Sequence, residues 1–158
     1  MSTKAKTATR KAADALCSRT VTLDKIRKDL RMRGYRVTGQ RLIIAEEFIN
    51  RFGHVRISEL HAIVKKRNGS ISLSTVYNTM GLMEEIGLIK RIPTGQNEAI
   101  YDSNVEPHVN LVCPVCGFVE DIFVSANLFS RIKSIAFEKG RMDPKVEITV
   151  QAVCKKHL

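Results

Sequence analysis

Cys113-Pro-Val-Cys116, followed later in the chain by Cys154-Lys-Lys-His157, is the stretch from which we interpret the fold. Each segment holds two candidate ligands separated by two residues, a spacing that suits a tight turn directing both side chains at one ion. Together they supply a Cys3His set, which is typical of structural zinc because no position is left for a catalytic water. The sequence therefore predicts a structural Zn2+ site formed by Cys113, Cys116, Cys154 and His157.

The alternatives for these side chains are a disulfide bond or unligated thiols. Two disulfide bonds are excluded because the remaining cysteine, Cys17, lies in a polar N-terminal segment. The sequence has no run of about 18 apolar residues that would cross a membrane, and it does not start with the apolar segment of a signal peptide. We therefore expect a cytoplasmic protein with no membrane partner, whose reduced thiols favour a metal over a disulfide bond.

Positive charge is concentrated upstream of the cysteine pairs. Residues 1–92 contain 19 Lys and Arg residues against 8 Asp and Glu residues, whereas residues 93–158 contain 7 against 8. A basic half joined to a nearly neutral half favours a protein that binds a polyanion through its first part. A basic, solvated surface without a partner is the alternative.

The first half follows the order of a winged helix-turn-helix, with a plain helical bundle as the alternative. Four amphipathic helices ending at glycines and then a β-hairpin are predicted over about residues 22–34, 38–53, 58–69, 72–87, 88–92 and 99–101. We expect the polar face of the fourth helix and the hairpin tip to contact duplex DNA. Two arginines should contribute to the salt dependence of DNA binding. The predicted DNA-binding residues are Arg36, Arg41, Ser74, Thr75, Tyr77, Asn78, Thr79, Gln96 and Asn97.

The second half is predicted to be a small α/β unit. It should contain three strands, at residues 109–112, 118–124 and 146–153, and one helix that Asn127 caps and Gly140 ends. Such a small core would depend on zinc for stability. Its remaining apolar face would be covered if two copies of the chain paired.

Four further residues form a second candidate metal site: His54, Asp102, His108 and Asp121. Imidazole nitrogen and carboxylate oxygen suit a divalent transition metal such as Fe2+, Mn2+ or Zn2+. Because these residues are spread over a long stretch of sequence, a solvated polar surface is the alternative.

Three stretches make the sequence similar to the ferric uptake regulator (Fur) family of metal-responsive transcription factors. They are Arg36-Val-Thr-Gly-Gln-Arg41, Ile71-Ser-Leu-Ser-Thr-Val-Tyr-Asn-Thr79 with the following Leu82 to Leu88, and Cys113-Pro-Val-Cys-Gly117 with its downstream pair. The resemblance implies an α+β homodimer that binds a palindromic operator, with structural zinc and a regulatory metal at the hinge between two domains. We accordingly expect a basic arm over residues 1–21, a winged-helix domain over 22–101 and a dimerisation domain over 102–158.

The resemblance also assigns ligands and a signal. It implies that His54, Asp102, His108 and Asp121 bind the regulatory metal, Fe2+ or Mn2+ with Zn2+ as a further possibility. Asn110, whose amide oxygen is a weaker candidate ligand for the same metal, stands where the family usually has another histidine, and His157 stands where it usually has cysteine. Asp102 and Asn78 resemble the peroxide-sensing (PerR) branch, which favours a repressor that responds to peroxide.

Three other functions compete with this interpretation. One is control of iron or manganese uptake, and another is a DNA-binding dimer with structural zinc only and a vestigial second site. The third is a zinc hydrolase, which requires an open coordination position and a general base. Because the Cys3His set is closed and the mixed set lacks a nucleophile motif, we expect a regulator and not an enzyme.

Overall fold

The computed structural model describes residues 21–51, 53–95 and 98–158. The predicted basic arm, except for Val21, and Cys17 therefore lie outside the described residues. Eleven elements follow one another in these ranges. They are α1 (Leu23–Met32), α2 (Gly39–Ile49), β1 (His54–Arg56), α3 (Ile57–Arg67), α4 (Leu73–Glu85), β2 (Lys90–Ile92), β3 (Ile100–Asp102), β4 (Val109–Val112), β5 (Val119–Ile122), α5 (Ala126–Glu138) and β6 (Ile148–Gln151).

Hydroxyl side chains cap three of the first four helices. Thr22, Thr38 and Ser72 each accept a hydrogen bond from the backbone N–H three residues ahead, at 3.2, 3.3 and 3.2 Å. Each bond satisfies an N–H that has no partner within its helix. Helices α1 and α4 are followed by Gly34 and Gly87, whose positive φ angles of 77° and 74° stop the helix.

A three-stranded antiparallel sheet completes the first half, with strand order β1-β3-β2. The hairpin formed by β2 and β3 agrees with the sequence prediction. Strand β1 was missed by the sequence analysis because it is only three residues long and lies between two helices. It pairs with β3 so that His54 lies opposite Asp102 and Arg56 lies opposite Ile100.

The second half contains a mixed sheet of order β5-β4-β6 and the helix α5. Strand β4 pairs with β5 antiparallel and with β6 parallel. The predicted strands at 118–124 and 146–153 are shorter in the structure. The predicted cap was wrong: Ser125 precedes α5, and Asn127 lies within its first turn.

The main hydrophobic core lies among the helices of the first half. Phe48, Ile44 and Leu60 are fully buried there, together with Met80 and Val76 of α4. A second, smaller cluster joins the two sheets, because Ile92 and Ile100 of the first half pack with Val112 and Val119 of the second. The two sheets therefore share apolar contacts.

Large apolar side chains remain exposed in the second half. At least half of the residue is exposed at four positions: Phe118, Phe123, Ile135 and Phe137. Val150 of β6 is 44% exposed. Such a concentration of exposed apolar surface on a small unit is typical of a protein–protein interface. None of the helices in the described ranges has the length and apolar character required to cross a membrane.

Replacing Phe48 tests the main core. Phe48→Ala should lower the free energy of unfolding by about 3–5 kcal/mol, because it removes a fully buried ring and leaves a cavity. Urea unfolding at fixed protein concentration, followed by circular dichroism, measures this change. Met32→Ala is the control, since Met32 is 74% exposed and its truncation should change the free energy by less than about 0.5 kcal/mol. Equal effects of the two substitutions would contradict the described core.

Candidate metal sites and DNA-binding surface

The structure brings together the four residues of the predicted zinc site. One ligand atom from each of Cys113, Cys116, Cys154 and His157 can be chosen so that all four lie within 4.8 Å of one another. Cys154 Sγ lies 3.0 Å from His157 Nδ1 and 3.8 Å from Cys116 Sγ. Four soft or borderline donors at this separation fit a single zinc ion.

The backbone of the first pair forms a tight turn. Gly117 N–H donates to the Cys113 carbonyl at 2.8 Å, and Cys113 N–H donates to the Phe118 carbonyl at 2.9 Å. Gly117 has a φ of 65°, which glycine adopts without steric cost. In the second pair His157 N–H donates to the Cys154 carbonyl at 2.8 Å, so both pairs have the local geometry that the two-residue spacing predicted.

The thiol of Cys113 is prepared for metal binding. Backbone N–H groups of Cys154 and Cys116 lower the pKa of the Cys113 thiol to about 6. A thiol with this pKa is largely thiolate at neutral pH, which is the form that binds metal. Burial is the main cause of the raised pKa of the Cys154 thiol, and a zinc ion bound nearby would favour its deprotonation.

The second predicted set also converges. His54 comes from β1, Asp102 ends β3, His108 precedes β4 and Asp121 lies in β5. Their chosen ligand atoms lie within 4.8 Å of one another. His54 Nε2 is 2.8 Å from Asp121 Oδ1, while His108 Nε2 is 3.0 Å from Asp102 Oδ2 and 3.5 Å from Asp121 Oδ1.

The four atoms at the centre of this set are buried and have no hydrogen-bond partner. They are His54 Nε2, Asp102 Oδ2, His108 Nε2 and Asp121 Oδ1. Buried polar atoms without a partner are costly and require an explanation. These four atoms point at one common position without forming hydrogen bonds to one another, which is how metal ligands are arranged. The residues therefore fit a divalent metal ion.

Outer contacts orient two of these ligands. The Nδ1 atom of His108 lies 2.8 Å from the Glu106 carbonyl, which fixes Nδ1 as the protonated nitrogen and leaves the Nε2 lone pair for a metal. Asp102 Oδ1 accepts a hydrogen bond from Asn104 N–H at 2.8 Å. Its other oxygen, Oδ2, is thereby directed at His108.

Burial and neighbouring charge act in opposite directions on three pKa values in this set. Burial disfavours the charged form of His54, but the adjacent Asp121 carboxylate outweighs it, so the pKa of His54 is raised. Burial also opposes protonation of His108, and Asp102 outweighs it and raises its pKa. For Asp121, burial is again outweighed, here by His54, and its pKa is lowered. The three pKa shifts therefore all reflect the close approach of imidazole and carboxylate groups in this set.

Asn110 lies beside this set. It is the register partner of Asp121 across the antiparallel pair β4–β5, and directly opposed side chains share one face of a sheet at about 4.5–5.5 Å between Cβ atoms. The Asn110 Oδ1 atom is buried and has no hydrogen-bond partner. An amide oxygen in this position is available as a further, weaker ligand.

The structure exposes most of the predicted DNA-binding face of α4. Ser74, Tyr77 and Asn78 are exposed and Thr75 is half-buried. Thr79 was wrongly assigned to this face: it is 3% exposed, and its hydroxyl donates to the Thr75 carbonyl at 2.8 Å. Position 79 falls on the core side because it follows Val76 and Thr75 by three and four residues, which is one helical turn.

Two further predicted DNA contacts are arginines near the start of α2. Arg36 is exposed, and Arg41 is half-buried and donates through its guanidinium to the Arg36 carbonyl. Gln96 and Asn97 lie outside the described residues. Arg56 was missed entirely: its Nη2 donates to the Cys116 carbonyl at 2.8 Å, a contact that no spacing in the sequence indicates.

Comparisons with known proteins agree with the fold. Residues 32–151 match the sequence model of the Ferric uptake regulator family. The ferric uptake regulator Fur of Helicobacter pylori has a similar structure, with a TM-score of 0.70 at 18% identity over 87% of this chain and 95% of that chain. A zinc-bound manganese uptake regulator is 30% identical, with a TM-score of 0.56 over 84% of this chain and 99% of that chain.

One relative is named for its signal. The peroxide-responsive repressor PerR of Staphylococcus epidermidis is 29% identical over 92 residues, which are 58% of this chain and 61% of that protein. The match therefore spans about three fifths of its length. The resemblance inferred from sequence and the α+β fold with an N-terminal winged helix are confirmed. Because the family model matches residues 32–151, which are most of this chain, the chain belongs to the ferric uptake regulator family.

Proposed function

We propose that the protein is a metal-responsive regulator of transcription that binds duplex DNA as a homodimer. The observation that carries this proposal is the set formed by His54, Asp102, His108 and Asp121. His54 comes from β1, between α2 and α3 of the first half, whereas Asp121 lies in β5 and His108 directly precedes β4 of the second sheet. A site built from both halves of a chain can make the orientation of one half depend on a ligand.

Two carboxylates in one largely buried set require a compensating positive charge. A bound divalent cation would supply that compensation and one bond to each half. His108, oriented by the Glu106 carbonyl, stays with the second sheet together with Asp121. His54 and Asp102, which face each other across the β1–β3 pair, move with the first sheet. The orientation of α4 then follows the state of the site, and the difference in metal affinity between the two orientations limits the energy of the switch.

The DNA-binding surface is supported by chemistry and charge. Ser74, Tyr77 and Asn78 are exposed on α4, and hydroxyl and amide groups donate to phosphates and read base edges in the major groove. The excess of basic residues lies in the same half, which favours binding to a polyanion. We propose domain limits of 22–101 and 102–158, with the boundary at the end of β3.

A second copy of the chain is the proposed cover for the exposed apolar surface of the second half. Phe118, Phe123, Ile135 and Phe137 would be buried between two copies. Two DNA-binding halves related by a two-fold axis would fit a palindromic operator whose half-sites are separated by whole helical turns. The protein would act in the cytoplasm, where thiols are kept reduced.

Peroxide response is the finer proposal for the signal. It rests on the similarity to proteins named peroxide-responsive repressors, on Asp102 and Asn78, and on the two histidines of the set. Regulation of manganese uptake is the second candidate, since a solved relative bears that name. Mass spectrometry after peroxide treatment separates them: oxygen added to His54 or His108 in the Fe2+-loaded protein, but not in the Mn2+-loaded protein, favours the peroxide response.

Removing one predicted zinc ligand should remove the zinc and loosen the second half. We expect Cys154→Ser to lose bound zinc and to unfold at lower temperature, because a small core depends on its metal. Elemental analysis and thermal unfolding measure the two effects. Cys17→Ser is the matched control and should keep one zinc ion per chain. Zinc retained in the Cys154 variant would contradict the proposed Cys3His site.

DNA binding should require the second site. The wild-type protein should bind a palindromic duplex about 5–150-fold more tightly with Mn2+ or Fe2+ than without, and His54→Ala should remove this difference. Fluorescence anisotropy with a selected operator measures the affinities. His61→Ala is the control, since His61 lies on α3 beside the Ile71 carbonyl. Equal affinity of the wild-type protein with and without metal would favour a vestigial site.

Restoring a stronger ligand at position 110 should strengthen the second site. Because imidazole binds these metals better than an amide oxygen, Asn110→His should raise Mn2+ affinity by about tenfold or more, the scale on which residues around a metal alter its binding. Isothermal calorimetry on zinc-loaded protein measures it. Glu120→His is the control, because Glu120 is exposed on the other face of β5. Equal affinities would place residue 110 outside the site.

A further inference from the structure

A second contact joins the two halves close to the proposed metal site. Arg56 ends β1, and its Nη2 atom donates to the Cys116 carbonyl at 2.8 Å. Its Nη1 atom lies 3.5 Å from Glu98 Oε2, and Glu98 Oε1 accepts a hydrogen bond from Ser58 N–H at 2.9 Å. The Arg56 and Glu98 side chains are 23% and 30% exposed, so the contact is largely shielded from water.

Arg56 and His54 act from the same face of one strand. They are two residues apart in β1, which places their side chains on the same face about 7 Å apart. His54 contacts Asp121 of β5, and Arg56 contacts the turn that precedes β5. Together with the apolar cluster between the sheets, two polar contacts along one strand resist rotation of β1 about either contact.

We propose that Arg56 is a positioning residue that latches the DNA-binding half to the Cys113–Gly117 turn, so that an intact turn helps to set the orientation of α4. The inference deepens the proposed regulatory function and rests on it. Its structural basis is the position of the Cys116 carbonyl. The Cys116 carbonyl and the Gly117 N–H belong to the same peptide group. That N–H donates to the Cys113 carbonyl and so closes the turn.

The state of the zinc site is therefore transmitted to β1. Zinc at the Cys3His set would hold the Cys116 side chain, and the Cys116 carbonyl would stay where Arg56 meets it. If the thiols lose their ion, the turn is held only by its backbone hydrogen bonds, and the acceptor of Arg56 is free to shift. The latch links a site that looks purely structural to the DNA-binding half.

Arginine is suited to this position because its guanidinium donates in two directions at fixed geometry. One branch faces the Glu98 carboxylate and the other the Cys116 carbonyl. Burial raises the pKa of Glu98, but the Ser58 N–H and Arg56 outweigh it and leave the pKa lowered. Glu98 is thus a stable anionic anchor. Lysine has a single ammonium group and cannot reproduce both contacts.

Hydrogen exchange of the zinc-loaded dimer without any second metal tests the latch itself. Arg56→Ala and Arg56→Lys should both raise amide exchange in segments 54–58 and 113–118 by about five- to tenfold, since a charge-assisted hydrogen bond is lost. Glu98→Gln should act in the same direction with smaller effect. Arg91→Ala is the control, because Arg91 is exposed on β2, which β3 separates from β1 in the same sheet. Unchanged exchange in folded Arg56 and Glu98 variants overturns the proposal.

DNA binding with saturating Mn2+ tests its consequence. Arg56→Ala and Arg56→Lys should weaken operator binding by about threefold to tenfold relative to Arg91→Ala, which removes the same charge. An effect of Arg56→Ala equal to that of Arg91→Ala, with full affinity in Arg56→Lys, would indicate a phosphate contact and overturn the latch. Faster exchange together with metal-independent DNA binding by the wild-type protein would support the latch and reject the proposed metal response.

Discussion

The pairing of β1 with β3 is the constraint on which the proposed regulatory site depends. This pairing places His54 opposite Asp102, so that a residue between two helices of the first half reaches the residue at the end of the hairpin. Asp102 is fully buried, and a buried carboxylate needs a compensating charge or hydrogen bonds. His108 lies beside it from the second half. A three-residue strand thus brings both halves of the chain to one buried carboxylate, and any change in that strand reaches the site.

Charge balance explains why this set suits a divalent cation. Two carboxylates and two neutral imidazoles carry a formal charge of −2, which a divalent ion cancels. The neighbouring carboxylates raise the pKa values of His54 and His108, so protons and a metal ion compete for the same ring nitrogens. A bound ion would replace the separate contacts of His54 with Asp121 and of His108 with Asp102 by bonds to all four side chains.

The sequence predicted the features that depend on local chemistry. The four helices of the first half and the hairpin agree with the structure because amphipathic spacing and turn composition are local properties. The structure also brings the side chains of both candidate ligand sets together. Strand β1 was missed since three residues show no alternation. Thr79 was misassigned because a polar residue can lie on the buried side of a helix when its hydroxyl bonds to the preceding turn. Arg56 could not be predicted, as its partner is a backbone carbonyl 60 residues away. The assignment of His54 and Asp121 to one metal site came from the resemblance to the family and not from a local sequence pattern.

One hairpin, formed by β4 and β5, contributes ligands to both candidate metal sites. Cys113 follows β4 directly and Cys116 lies in the turn before β5, while His108 precedes β4 and Asp121 lies within β5. Closure of the turn at Cys113 fixes the register that pairs Val112 with Val119 and Asn110 with Asp121. A slip of one residue would carry Asp121 to the opposite face of the sheet, since side chains alternate along a strand. A zinc ion in the turn would therefore do more than stabilise a small core. It would keep Asp121 on the face where His54 meets it and the Cys116 carbonyl where Arg56 meets it, so that both contacts of β1 depend on the same turn.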